Sequence, residues 1–154
     1  MFPIGIKGEF NIPQLQTQDV SSVLIGIERE LAKAQATNIR RKGDKVLFRG
    51  GIFRFVTTWN VLGPVWYGEI EVISGNPSIV RYKLSCVEML VMATLMVILF
   101  VHFVYGSERG TQDTLLFSIA LWFWLYGMNY LIAAVRLPRF IRKAVTKKYP
   151  YTWN

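Results

Sequence analysis

Apolar residues recur at steps of three and four near the start of the chain: Val20, Val23, Leu24, Ile27, Leu31 and Ala34. That spacing places them on one stripe of an amphipathic helix over Asp19–Thr37. Asp19 or Ser21 is the candidate cap, and Glu28, Arg29, Glu30 and Lys33 take the wet side. The period then changes to two. Lys45–Arg49 and Ile52–Trp59 flank Gly50-Gly51, a pair suited to a hairpin turn with positive φ at both positions. This turn sets Phe48 opposite Phe53 and Val46 opposite Phe55 on the face toward the helix. Lys45, Leu47, Arg49, Ile52, Arg54 and Val56 fall on a mixed outer face. Val65–Ile73 predicts a third strand, Ser74–Pro77 a turn, and Ser78–Lys83 a fourth strand. Glu69 and Glu71 then lie near Arg81 and Lys83.

Two longer apolar runs follow, Leu84–Tyr105 and Thr114–Val135. Each is long enough to cross a hydrocarbon core of ~30 Å as a helix. The short polar connection, Gly106–Asp113, predicts an antiparallel hairpin. After it Leu137, Phe140, Ile141, Ala144 and Val145 recur at helical spacing among basic residues. The tail thus reads either as a helix lying in an anionic leaflet or as a plain flank that stops transfer. The fold class expected is therefore α+β plus membrane helices. One amphipathic helix lies on a four-stranded antiparallel meander, followed by a two-helix transmembrane hairpin and a short basic amphipathic tail. The divisions are 1–83, 84–135 and 136–154.

Composition narrows the function classes. Among 154 residues, 18% are charged and 52% hydrophobic, fewer charges than the roughly 25% of ordinary soluble domains. The single Cys and single His cannot supply the four ligands of a usual zinc site. No Gly-rich phosphate loop occurs, and no cofactor is expected. The opening residues, MFPIGIKGEF, do not read as a signal peptide. Net charge is +8; the bases after the second apolar run have no acids among them, whereas the folded part is only mildly basic. This favours lipid headgroups over nucleic acid as the partner. Arg136, Arg139, Arg142, Lys143, Lys147 and Lys148 follow that run, and Arg81 and Lys83 precede the first. Since Lys and Arg collect on the cytoplasmic side, the expectation is an inner (plasma) membrane protein with both termini cytoplasmic.

Small residues allow membrane helices to approach closely. Cys86 and Ala93 in the first run, and Ala120, Gly127 and Ala134 in the second, predict a packing seam. It pairs Cys86 with Ala134, Ala93 with Gly127, and Phe100 with Ala120. Glu88, His102 and Asn129 lie off that seam, as intramembrane polar groups that protein or water must meet. Ser118, His102 and Asp113 are the residue types of a hydrolytic triad, but two helices enclose no cleft, and no catalytic residue is assigned. The leading expectation is a non-catalytic accessory or assembly protein that packs with other membrane subunits or with itself. The alternatives are a membrane-bound module for a lipid or small ligand, and a small homo-oligomeric channel lined by Glu88, Thr94 and His102.

Overall fold

A computed structural model describes residues 5–12, 17–50, 62–105 and 111–146. Strand β1 (Gly5–Ile12) leads to helix α1 (Thr17–Lys33), followed by β2 (Thr37–Lys42), β3 (Lys45–Arg49), β4 (Tyr67–Ile73) and β5 (Ser78–Ser85). The sheet has five strands in the order β1-β5-β4-β3-β2, each pair antiparallel. Between β1 and β2 the chain crosses from one edge of the sheet to the other through α1. It then returns strand by strand until β5 pairs with β1.

This corrects the four-stranded meander. β1 was not anticipated, and β2 is a basic edge strand, TNIRRK, with no apolar alternation to announce it. The Gly50-Gly51 hairpin and its second strand, Ile52–Trp59, fall outside the described residues apart from Gly50. β3 pairs with β2 on one edge and β4 on the other.

The inner face of the sheet forms the core. Val46, Phe48, Ile70, Val72, Val80 and Leu84 are buried against α1's Val20, Val23, Leu24, Ile27 and Leu31. Gly68 faces Phe48 across β3–β4, and a β-carbon there would run into the Phe48 ring. The outer face is charged. Lys45 bridges Glu69 at 2.8 Å and Glu71 at 3.3 Å. These two carboxylates, Glu69 foremost, hold the ammonium above its ordinary pKa. Glu69 and Glu71 sit in register with Lys83 and Arg81, but Arg81 reaches Glu9 instead, at 3.5 Å.

Helix α2 (Val87–Tyr105) leaves the sheet after Cys86. Leu and Met are good helix formers, and Glu88 in its first turn complements the positive end of the helix dipole. The chain returns as one continuous helix in three parts: α3 (Thr111–Trp122), a π-helical stretch (Phe123–Met128), and α4 (Asn129–Thr146). Among the described residues, one helix, Asp113–Thr146, is long and apolar enough to cross a membrane. The two-helix transmembrane hairpin is therefore corrected as well. Leu84 and Ser85 belong to β5 and Cys86 to the connection, which leaves Val87–Phe103 as a shorter apolar stretch. At 1.5 Å per residue that is about 25 Å of rise, short of the ~30 Å core. A buried strand and an apolar helix look alike in composition, so the junction between them is invisible in the sequence.

The two halves of the long helix differ in burial. In α4, Leu137, Ile141, Ala144 and Val145 are buried, and Leu137, Ile141 and Val145 join the same core as α1 and the sheet. Ala144's carbonyl oxygen lies 3.9 Å from where a β-carbon of Gly26 in α1 would stand. The amphipathic tail thus turns its apolar stripe to the domain, not to lipid. Its spacing was legible, and its partner was not.

Candidate functional site

The feature that stands apart from an ordinary α/β domain is the apolar unit made by α2 and α3. Phe103 is 78% exposed and Trp124 66%. Leu95, Met96, Ile98, Leu99, Leu115, Leu116, Ile119 and Phe123 are exposed as well. Consecutive positions such as Ile98 and Leu99, or Leu115 and Leu116, point to different sides of a helix. The unit is therefore apolar all round, apart from its internal seam. Only 6% of the long helix's apolar window is buried, the reverse of a helix in a soluble core.

The seam holds stacked aromatic residues beside small ones. Phe100 stacks on Phe117 with ring centroids 6.0 Å apart. Trp122 lies 5.1 Å from Tyr126, and Tyr126 6.0 Å from Tyr130. Trp122 donates its indole N–H to Thr94 Oγ1 at 3.0 Å, while Thr94 donates to the Leu90 carbonyl at 2.8 Å. Cys86 and Ala93 are buried, as is Val97 one turn on. On the opposing helix Tyr126 and Ala133 are buried, whereas Ala120 is exposed and Gly127 and Ala134 are half-buried. A β-carbon on Gly127 would meet nothing within 4 Å, so no close backbone approach depends on that glycine. Two effects shift the register. Phe100 meets Phe117 instead of Ala120, nearly one turn away. The π-helical stretch also carries more residues per turn, so a seven-residue repeat cannot hold one side through it.

The polar residues are placed as follows. Glu88 is half-buried and His102 exposed, with its ring edge-on to Phe103 at 5.6 Å. Asn129 donates to the Leu125 carbonyl at 2.6 Å, and Ser118 to that of Thr114 at 2.6 Å. Both satisfy themselves within their own helix. Thr94 is half-buried and hydrogen-bonded across the seam to Trp122. Among the described residues, no group of three or more His, Cys, Asp and Glu is placed to hold a metal ion.

At the base of the unit the long helix is tied to the sheet. Tyr130 donates its phenol to the Gly5 carbonyl at 3.3 Å. Arg142 lies over the Phe10 ring at 5.5 Å. Burial pushes the Tyr82 phenol above its usual range, and the Arg142 charge opposes that shift. Arg136, Arg139 and Lys143 are exposed, while Lys147 and Lys148 lie outside the described residues. A cavity of about 320 Å³ between α1 and Ala144 is lined in part by Arg29, Glu30 and Lys33; Lys33 is paired with Glu30 at 2.9 Å, so one cation there is already neutralised.

Sequence reasoning missed the tyrosine tie and the aromatic ladder. The signal for the ladder was present: Trp122, Tyr126 and Tyr130 recur every four residues. No family model, curated protein or solved structure matches this chain.

Proposed function

We propose that the chain is a membrane-anchored accessory or assembly protein with no catalytic role of its own. The long helix, Asp113–Thr146, is its candidate span of the inner (plasma) membrane, with α2 packed beside the first half of that helix. Its α/β domain lies against the cytoplasmic surface. The observation that carries this reading is the exposure of the unit on all sides. A helix that is apolar all round is stable only when enclosed by protein or lipid, and a contiguous exposed patch of this kind marks an interaction surface. By length and composition Asp113–Thr146 is sufficient to cross a bilayer core. Arg136, Arg139, Arg142 and Lys143 follow where the cytoplasmic boundary falls.

The assembly role rests on surface left over. Two helices bury one seam between them, and the other sides remain for lipid, for partner helices or for another copy. Ser118 donates to its own helix at Thr114, and Thr94 accepts from Trp122 across the seam, roles that suit helix packing.

Alkaline carbonate washing of membranes from cells expressing the full chain tests the anchoring. The chain is expected to stay in the pellet, and release into the supernatant overturns that part. Light scattering of the chain purified in mild detergent tests the assembly. A mass of two or more chains, or of a chain plus a co-purified subunit, is expected. A uniform monomer overturns the assembly role.

A further inference from the structure

The outer face of the sheet carries a second cavity, of about 320 Å³, lined by Asn38, Arg40, Leu47, Phe48, Arg49 and Tyr67. Its position follows from the register. Gly5, Ser85, Tyr67, Arg49 and Thr37 form one row across all five strands. This row is at the end of β5 from which the chain passes, through Cys86, into α2. Tyr130 ties the long helix to the same row at Gly5. Trp66 and Tyr67, 41% and 40% exposed, stand beside it. Exposed Trp and Tyr are the residues that settle at the headgroup level of a bilayer.

The chemistry of the cavity is that of an anion site. Arg40 pairs with Leu47, and Arg49 is two residues further along β3. The two arginines are thus diagonal neighbours, roughly 7–8 Å apart. β2 is irregular between Thr37 and Arg40, where Asn38 takes a φ of 50°, and both Asn38 and Arg40 line the cavity. Among the described residues, neither arginine forms a salt bridge; the nearby carboxylates Glu69 and Glu71 are held by Lys45. Residues 51–61 contain no Asp or Glu. Glu69, across from Leu47, is turned to Lys45, which leaves Arg40 and Arg49 as the charged side chains that line the cavity. Their planar forks suit phosphate oxygens.

We propose that this cavity binds the phosphate of an anionic phospholipid headgroup, held by Arg40 and Arg49 beside Tyr67. The choice of a lipid rather than a free phosphate rests on the membrane reading above, which sets this row at the headgroup level. The bound lipid fixes the sheet against the bilayer surface.

The test is calorimetric titration of the full chain in neutral detergent micelles, with short-chain phosphatidylglycerol in one arm and glycerol 3-phosphate in the other. Saturable binding of the lipid is expected, with glycerol 3-phosphate at least tenfold weaker. Arg40→Gln with Arg49→Gln is expected to weaken the lipid at least tenfold. Arg81→Gln, on the same face but paired with Glu9, leaves it within twofold. Arg49→Lys, which keeps the charge and loses the fork, falls between, and it guards against a double variant that does not fold. Equal lipid binding by wild type and by both Arg49 variants overturns the site. Equal affinity for glycerol 3-phosphate overturns the lipid assignment. In carbonate washing the double variant stays with the membrane, because the helices still anchor it. Release of the wild type in that assay defeats the membrane reading itself, a different failure from loss of the Arg40 and Arg49 dependence.

Discussion

Replacing Leu137 with Ala lowers the stability of the α/β domain by about 2–5 kcal/mol, the usual cost of emptying a fully buried leucine site. Leu137 is 0% exposed and Ile141 2%. Both belong to the cluster that contains Leu24, Ile27 and Phe48. A domain of this size has roughly 5–15 kcal/mol in total, so Leu137→Ala consumes a large part of it. Leu137→Asp, which buries an unpaired carboxylate, abolishes folding. Denaturant unfolding in neutral detergent, followed by resistance of the domain to protease, measures both. Arg139→Ala, at an exposed position of the same helix, changes stability by no more than about 0.5 kcal/mol. A tail lying in the lipid surface gives the opposite pattern: Leu137→Ala weakens membrane binding and leaves the domain as stable as before.

The second large effect falls on the other half of the same helix. Phe123 is 63% exposed and lies near the middle of the stretch from Asp113 to Tyr130. In hydrocarbon, Phe123→Lys replaces a residue that favours the bilayer centre with one that costs about 2.5–3.5 kcal/mol there. The expected outcome is a fall in the ratio of inserted to non-inserted chain by a factor of order 100, read from the pellet and supernatant of carbonate-washed membranes. Phe123→Leu leaves that ratio unchanged. If the surface faces water instead, Phe123→Lys raises solubility and moves nothing between fractions.

How far the fold could be read in advance depended on whether one face of an element is buried. Helix α1 and strands β4 and β5 were legible because a buried face writes a period into the sequence: three and four for Val20 to Ala34, two for Tyr67 to Lys83. β2 has little buried face. Arg40 and Lys42 are exposed and Arg41 reaches Ser21 of α1 through a 2.7 Å hydrogen bond, so no apolar alternation marked it. β1 does alternate, with Ile6 and Ile12 buried, but its short pattern carries Gly8 at an inner position because the Tyr82 ring lies over it.

The candidate site divides in the same way. The apolar surface was plain in composition. Its seam was less plain: Trp122, Tyr126 and Tyr130 do recur every four residues, but the π-helical stretch between Phe123 and Met128 breaks the seven-residue repeat on which the expected seam rested. The tail residues showed a stripe, and a stripe does not say whether lipid or protein covers it. Arg40 and Arg49 are nine positions apart in the chain, and only the pairing of β2 with β3 makes them neighbours.

The central claim is that one helix serves two environments, lipid around its first half and the domain core around its second. Photoactivatable phospholipid incorporated into membranes holding the full chain, with the adducts mapped by mass spectrometry, tests both halves together. The account predicts adducts on Phe103, Leu115, Leu116, Phe123 and Trp124, and none on Leu137, Ile141 or Val145. Adducts on Leu137 and Ile141 as abundant as those on Phe123, or an α2/α3 unit free of adducts, would contradict it.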